Sequence, residues 1–98
     1  MVHNHPSGGN FSKGDLLSMA SSKEKGIIAT SSNPKIKKTY HIQKNQNFKA
    51  KEFIKAVNTA KWPKKYSYSE GADWWLRRNQ RTYGYKYRAT SNGKLIGD

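Results

Sequence analysis

Apolar residues recur at the spacing of an α-helix in two segments of the first two thirds of the chain. The apolar segment Leu16–Met19 follows Ser12, a candidate N-cap, and predicts a helix over about 12–21. A second helix is predicted over 49–61 because three apolar residues stand at positions i, i+4 and i+7, namely Phe53, Val57 and Ala60. Pro63 ends it, since the residue before a proline avoids the helical region. Each helix has an apolar side that must pack against another element.

Two strands are predicted between these helices. The segment 27–30 is rich in β-branched residues and predicts a short buried strand. A turn is predicted at 31–34, and apolar and polar residues then alternate over 36–42, which predicts a second strand that pairs back as a hairpin. Because Lys38 falls on the apolar side of this alternation, we expect an edge or partly exposed strand.

The last third of the chain predicts another helix and another strand, both rich in arginine and aromatic residues. The helix opens at Ser69, a candidate cap, with acidic residues in its first turn. Three residues share its core face: Ala72, Trp75 and Leu76. Trp74 lies toward the side of the arginines. Around Gly84 the chain alternates again, with aromatic side chains on one face and basic ones on the other: Tyr83, Tyr85 and Tyr87 against Lys86 and Arg88.

Together these elements predict an α+β fold with a small mixed sheet and about three helices. The basic, polar segment 63–69 is the best candidate boundary inside the chain. It separates a core over 1–62 from a helix–strand extension over 70–98, which we expect to pack on the same domain.

Composition narrows the classes of protein. The 98 residues are 34% hydrophobic, with a mean hydropathy of −1.02, so the core is small and depends on aromatic residues. The chain has no cysteine, which excludes disulfides and cysteine-ligated zinc. No apolar run approaches the roughly 20 residues of a membrane-spanning helix, and no signal peptide is visible. We therefore expect a soluble, cytoplasmic protein that does not bind membranes.

Charge points to acidic partners. Nineteen lysines and arginines against six acidic residues give a formal charge of +13, which favours nucleic acid or acidic protein surfaces. The basic and aromatic residues of the last third are the mixture that follows phosphates and stacks bases. The candidate nucleic-acid contacts are Arg77, Arg78, Arg81, Lys86 and Arg88. In the alternative interpretation, the tyrosines pack on the sheet and the arginines keep a small domain soluble.

The first fifteen residues contain a candidate metal site. In an extended segment His3 and His5 point to the same face, because residues i and i+2 do so in a strand. Asp15 stands three residues after Ser12, the spacing of a capping box at a helix start. A short loop rich in turn formers joins the two parts, so both imidazoles and the carboxylate can converge on one ion. Zinc is the first choice, and non-haem iron uses the same ligand set.

A simpler interpretation stays open for each part of this site. Histidines near a chain end can be solvated side chains, and Ser12 with Asp15 can be a capping box and nothing more. The third histidine, His41, falls on the polar face of its strand and is not expected to be a ligand.

The segment HNHPSGGNFSKGD resembles the H-x-H-P-x(n)-S-x-x-D signature of the JAMM (Jab/MPN) zinc metallopeptidases, including their RadC-like bacterial branch. The resemblance covers positions 2 to 15 and implies that the fold is part of a JAMM, cytidine-deaminase-like core. It implies that His3, His5 and Asp15 bind zinc and that Ser12 helps to stabilise the tetrahedral intermediate. The implied reaction is hydrolysis of peptide or isopeptide bonds in a protein or peptide substrate by zinc-activated water.

The family's general base is a Glu on a strand upstream of the histidines, and here only Met1 and Val2 precede His3. The resemblance therefore implies a truncated or degenerate member. We expect the isolated chain to be inactive, with a missing N-terminal segment or a partner protein completing the site. The alternative function is a small basic nucleic-acid-binding module, in which the histidine cluster is incidental or structural.

Overall fold

The structure, a computed structural model, describes residues 2–4, 9–30, 35, 37–91 and 94–95. The strands are β1 (Val2–Asn4), β2 (Gly26–Thr30), β3 (Lys38–Lys44), β4 (Tyr85–Ser91) and β5 (Lys94–Leu95). The helices are α1 (Lys13–Ser21), α2 (Ala50–Thr59), α3 (Tyr68–Arg78) and the single turn α4 (Gln80–Tyr83). The predicted turn at 31–34 lies outside the described residues.

The strands form one five-stranded mixed sheet in the order β1-β2-β3-β4-β5. β1 runs parallel to β2, and every other neighbouring pair is antiparallel. The predicted α+β class with a small mixed sheet is confirmed. The predicted hairpin is β2 and β3, which pair from Gly26 with Gln43 to Thr30 with Thr39.

The hydrophobic core lies between the helices and one face of the sheet. Strand residues on that face are buried in alternation, as in Tyr85, Tyr87 and Ala89 of β4. They form one cluster with buried residues of the longer helices, including Leu16, Phe53 and Leu76. The cluster thus joins residues from both sides of the 63–69 segment, with aromatic rings prominent in it. No helix among the described residues has the length and apolar character needed to cross a membrane.

The opposite face of the sheet is more exposed to solvent. Ile28, His41 and Arg88 stand side by side across β2, β3 and β4, and all three are half-buried or exposed. His41 therefore lies on the polar face of its strand, as predicted, and away from the helices.

Of the two alternatives predicted from Lys38, an edge strand or a partly exposed one, the first is wrong and the second is confirmed. β3 is the middle strand of the sheet, with partners on both sides. Lys38 is exposed because it is the first residue of β3, at the end of the sheet rather than at its edge. The exposure of Lys38 follows from its position at the end of β3. The alternation of apolar and polar residues does not indicate where a strand begins.

Tyr83 does not belong to the strand that was predicted around it. Gly84 adopts a left-handed conformation, with φ +77°, and ends α4 one residue before β4 begins. Tyr83 consequently belongs to a helical turn and stacks on Trp75, with ring centroids 6.2 Å apart. Tyr85 and Tyr87 do alternate with exposed Lys86 and Arg88, as predicted.

Ser67, and not Ser69, caps α3. Its hydroxyl accepts the backbone N–H of Glu70 at 3.3 Å, and the Glu70 carboxylate accepts the N–H of Ser67 at 3.3 Å. The Ser-x-x-Glu spacing at 67–70 is that of a capping box, whereas Ser69 directly precedes Glu70 and cannot form one. The second predicted helix also begins and ends slightly inside its expected bounds, at Ala50 and Thr59.

Candidate functional site

β1, α1 and β2 form a strand–helix–strand crossover at one edge of the sheet. Because β1 and β2 are parallel, the chain leaves the carboxyl end of β1 and enters α1 on that side before it returns. The backbone of His3 is paired with that of Ala29, whose side chain is fully buried in the core. His5 lies outside the described residues. Of the segment between β1 and α1, the structure describes residues 9–12.

The start of α1 carries the predicted capping box. The Ser12 hydroxyl accepts the backbone N–H of Asp15 at 3.0 Å, and Oδ2 of Asp15 accepts the N–H of Ser12 at 3.1 Å. Ser12 is the N-cap, and its side chain is exposed, while Asp15 is half-buried. A carboxylate here also interacts favourably with the positive end of the helix dipole. The prediction of Ser12 as the N-cap of a helix ending at Ser21 is confirmed.

This geometry suits one of the three predicted metal ligands. The capping bond uses Oδ2 of Asp15, and a carboxylate can bind a metal through one oxygen while the other accepts a hydrogen bond. Among the described side chains, which do not include His3 and His5, no group of three His, Cys, Asp or Glu residues lies close enough to hold an ion. The complete ligand set stays a prediction.

Asn10 and Phe11, which lie just before α1, are hydrogen-bonded to the first turn of α3. The backbone N–H of Asn10 donates to Oγ of Ser69 at 3.0 Å, and the Tyr68 hydroxyl donates to the carbonyl oxygen of Phe11 at 2.8 Å. Burial raises the pKa of Tyr68, and the negative charge of Asp15 raises it further. Sequence reasoning missed Tyr68 at this site, because 57 residues separate it from Phe11 and no local pattern marks the contact.

A series of three hydrogen bonds, one buried and two partly buried, connects Asn10 to Arg77. Nδ2 of Asn10 donates to the Tyr87 hydroxyl at 2.9 Å, and that hydroxyl donates to Oδ1 of Asp73 at 2.8 Å. Nε of Arg77 donates to the other oxygen of Asp73 at 2.9 Å. Burial, and then the bond to Asp73, raises the pKa of Tyr87 well above its usual value. These bonds fix Asn10 and Arg77 relative to each other.

Arg77 also belongs to a groove between the start of β3 and α3. The groove encloses about 750 Å³, and Lys38, Tyr66, Trp74 and Arg78 are among the side chains that line it. A second concavity of about 590 Å³ has Arg77 and Arg78 in its lining as well. We call the two together the basic groove.

Four of the five predicted nucleic-acid contacts line the basic groove: Arg77, Arg78, Arg81 and Lys86. The fifth, Arg88, does not line it and is exposed on the open face of the sheet beside His41. The two neighbouring tyrosines are not available as contacts. Tyr85 and Tyr87 are almost fully buried, so the alternative that these tyrosines pack on the sheet is confirmed.

No family model, no curated protein and no solved structure matches the chain. The likeness to JAMM peptidases therefore rests on the sequence motif alone.

Proposed function

We propose that the chain is a zinc-binding, metallopeptidase-like domain of the JAMM type, in which His3, His5 and Asp15 hold the metal. The observation that carries the proposal is the crossover from β1 to α1. It places the strand of His3 and a helix whose first turn holds Asp15 in a fixed orientation next to each other in chain order, and His5 lies between them in the sequence. Two imidazoles and one carboxylate are a ligand set that zinc accepts in catalytic sites.

The chain's own residues have distinct tasks in this proposal. The capping bond between Oδ2 of Asp15 and the Ser12 N–H limits rotation of the carboxylate, so the ligand is oriented before the metal binds. Ser12 uses its hydroxyl oxygen to accept the Asp15 N–H, and a hydroxyl that accepts one bond still has a proton to donate. That proton can be donated to a substrate carbonyl oxygen. Zinc, when bound, polarises a carbonyl and lowers the pKa of water.

Hydrolysis also requires a general base. The described carboxylates outside the capping boxes lie elsewhere: Glu24 follows the far end of α1, Glu52 is exposed in the first turn of α2, and Asp73 is bound to Arg77 and Tyr87. We propose that the base comes from outside the described residues, from a preceding segment or a partner protein. Without it the zinc-loaded chain is expected to cleave peptides poorly, since general-base assistance supplies about 10²–10⁴-fold in rate.

A zinc titration of the metal-free protein near neutral pH tests the proposal. The NMR resonances of the His3 and His5 rings are expected to shift together and to saturate at one equivalent. His41 is the internal control, because it lies on the open face of the sheet next to Arg88 and its resonances are expected to stay in place. Equal shifts of all three rings, or unchanged binding in His5→Ala, would contradict the proposed site.

A further inference from the structure

Two cation–π contacts and one contact between aromatic rings lie at the first part of the basic groove. Nζ of Lys65 lies 5.3 Å from the centroid of the Tyr66 ring. The Tyr66 and Trp74 rings are tilted by 37°, with centroids 6.2 Å apart. The Arg78 guanidinium lies 4.8 Å from the centroid of the Trp74 ring. Tyr66 and Trp74 are half-buried, so parts of both rings remain accessible in the groove.

Stacking on Trp74 prepares Arg78 to bind an anion. A guanidinium that lies over an aromatic ring keeps its N–H groups in its own plane, where they can donate two parallel bonds to a phosphate. Arg78 is exposed, and it lines both parts of the basic groove.

The second concavity of the basic groove is also lined by positively charged side chains. Arg81 and Lys86 are exposed there, and none of the described residues that line it is acidic. At the other end, Lys38 is exposed at the start of β3. The groove therefore offers cations along its length and rings in one part of it.

Two acidic side chains line the first part of the groove, and both are engaged in bonds. Asp73 accepts from Arg77 through one oxygen and from Tyr87 through the other. Glu70 accepts the N–H of Ser67 in the capping box of α3. Their bonds to donors reduce the repulsion that an anionic chain would meet.

We infer that the basic groove binds single-stranded nucleic acid, with phosphates on Lys38, Arg78, Arg81 and Lys86 and an unpaired base against Trp74. A chain of phosphates is the ligand that meets several cations in succession, and unpaired bases are the groups that stack on accessible rings. An acidic peptide satisfies the cations but has no comparable use for the rings. A duplex keeps its bases stacked inside and cannot place them on Trp74.

This binding is separate from the proposed zinc site. None of the described residues that line the groove is a proposed metal ligand, and Asp15 is not among them. Binding is therefore expected to persist in the presence of a chelator, and a failed zinc titration has no bearing on it.

The test is fluorescence anisotropy with labelled oligo(dT) and oligo(U) of about 15 nucleotides, the upper range of single-strand site sizes. The full 98-residue chain is titrated in EDTA over a range of salt concentrations. Four phosphate contacts predict a log–log slope of affinity against salt of roughly −3, since each contact on a single strand contributes about −0.7. Equal binding of both oligonucleotides indicates that the sugar is not read.

Two double variants with the same change in net charge distinguish binding in the groove from a general effect of positive charge. Arg78→Gln with Arg81→Gln is expected to weaken binding by about tenfold and to reduce the steepness of the salt slope by roughly 1.4. Lys51→Gln with Lys55→Gln makes the same change in net charge at exposed positions of α2 that do not line the groove. This control is expected to change affinity by less than about twofold. Equal losses in the two double variants would overturn the assignment to the groove.

The aromatic contribution is tested at Trp74. Trp74→Leu is expected to weaken binding by about tenfold, because it removes the stacking surface, and Trp74→Phe is expected to retain most of the affinity. Circular dichroism verifies that each variant is folded, and the arginine pair decides the question if Trp74→Leu is not. Poly-glutamate or duplex DNA that competes as well as oligo(dT) at equal charge would overturn the single-strand assignment in favour of an acidic protein or a duplex.

Discussion

The helices α1 and α3 both begin with a capping box, but the two boxes differ in their surroundings and in the burial of their carboxylates. Ser12 with Asp15 and Ser67 with Glu70 each make the two reciprocal bonds between side chain and backbone, at 3.0 to 3.3 Å. The Asp15 box follows Asn10 and Phe11, which are hydrogen-bonded to α3, and Asp15 is half-buried. The Glu70 box faces the basic groove, and Glu70 is exposed. A capping box by itself therefore says nothing about metal binding, and α3 supplies the internal control for α1.

Each of the two helices carries a glycine near its start, and the same substitution is expected to have opposite effects. A Cβ at Gly71 would overlap the Trp62 indole, so Gly71→Ala is expected to lower the free energy of unfolding by roughly 3 kcal/mol. At Gly14 a Cβ would contact only Oγ of Ser12, at 3.8 Å. Gly14→Ala is therefore expected to raise the free energy of unfolding by about 0.5–1 kcal/mol. Urea unfolding of both variants measures the difference. A stable Gly71→Ala protein would mean that Trp62 does not pack against α3.

Zinc affinity should distinguish the two carboxylates. Asp15→Asn keeps an acceptor at the cap but weakens a metal ligand, and we expect a roughly 100-fold loss of zinc affinity, equivalent to about 2.7 kcal/mol. Glu70→Gln makes the equivalent change in the control box and is expected to leave zinc affinity within about twofold. Isothermal titration calorimetry on both proteins provides the comparison. Similar affinities in the two variants would reduce Asp15 to a capping residue.

The two serines should contribute equally to stability. Ser12→Ala and Ser67→Ala each remove one acceptor for a backbone N–H, and each is expected to lower the free energy of unfolding by about 1 kcal/mol. Thermal unfolding in the presence of a chelator measures both without a contribution from metal. A much larger loss in Ser12→Ala would show that Ser12 makes a structural contribution that the capping bond does not explain.

The smallest effect on the free energy of unfolding is expected at the Tyr68 hydroxyl, which connects the start of α3 to Phe11, just before α1. Burial, and then the charge of Asp15, raises the pKa of Tyr68 in the folded protein above its unfolded value near 10. The associated stabilisation is complete below about pH 10 and is lost as the pH rises above it. Tyr68→Phe is therefore expected to lose less stability between about pH 9.5 and 11 than the unaltered protein. Parallel pH dependence of the two proteins in urea unfolding would contradict the shift.

Sequence spacing predicted the local structure of the candidate site better than it predicted the surroundings. The Ser12 cap, the helix to Ser21 and the β2–β3 hairpin all follow from residues close together in the chain. The Ser-x-x-Glu signal at 67–70 was also present in the sequence, and placing the cap at Ser69 overlooked it. Lys38 left an edge strand and a partly exposed strand both open, because alternation reports the face of a residue but not the neighbours of its strand.

The sequence by itself determined the excess of positive charge and the cap of α1, and it predicted the candidate metal set. These depend on residue type and on spacings of three or four positions, which act within one turn or one strand. Only the tertiary structure decided that Ser69 and Tyr68 bind the backbone of Asn10 and Phe11, that Tyr87 is buried between Asn10 and Asp73, and that Trp74 is accessible beside Arg78. Some of these contacts join residues dozens of positions apart, and others depend on how a helix packs against the sheet. The local pattern of residue types predicts neither.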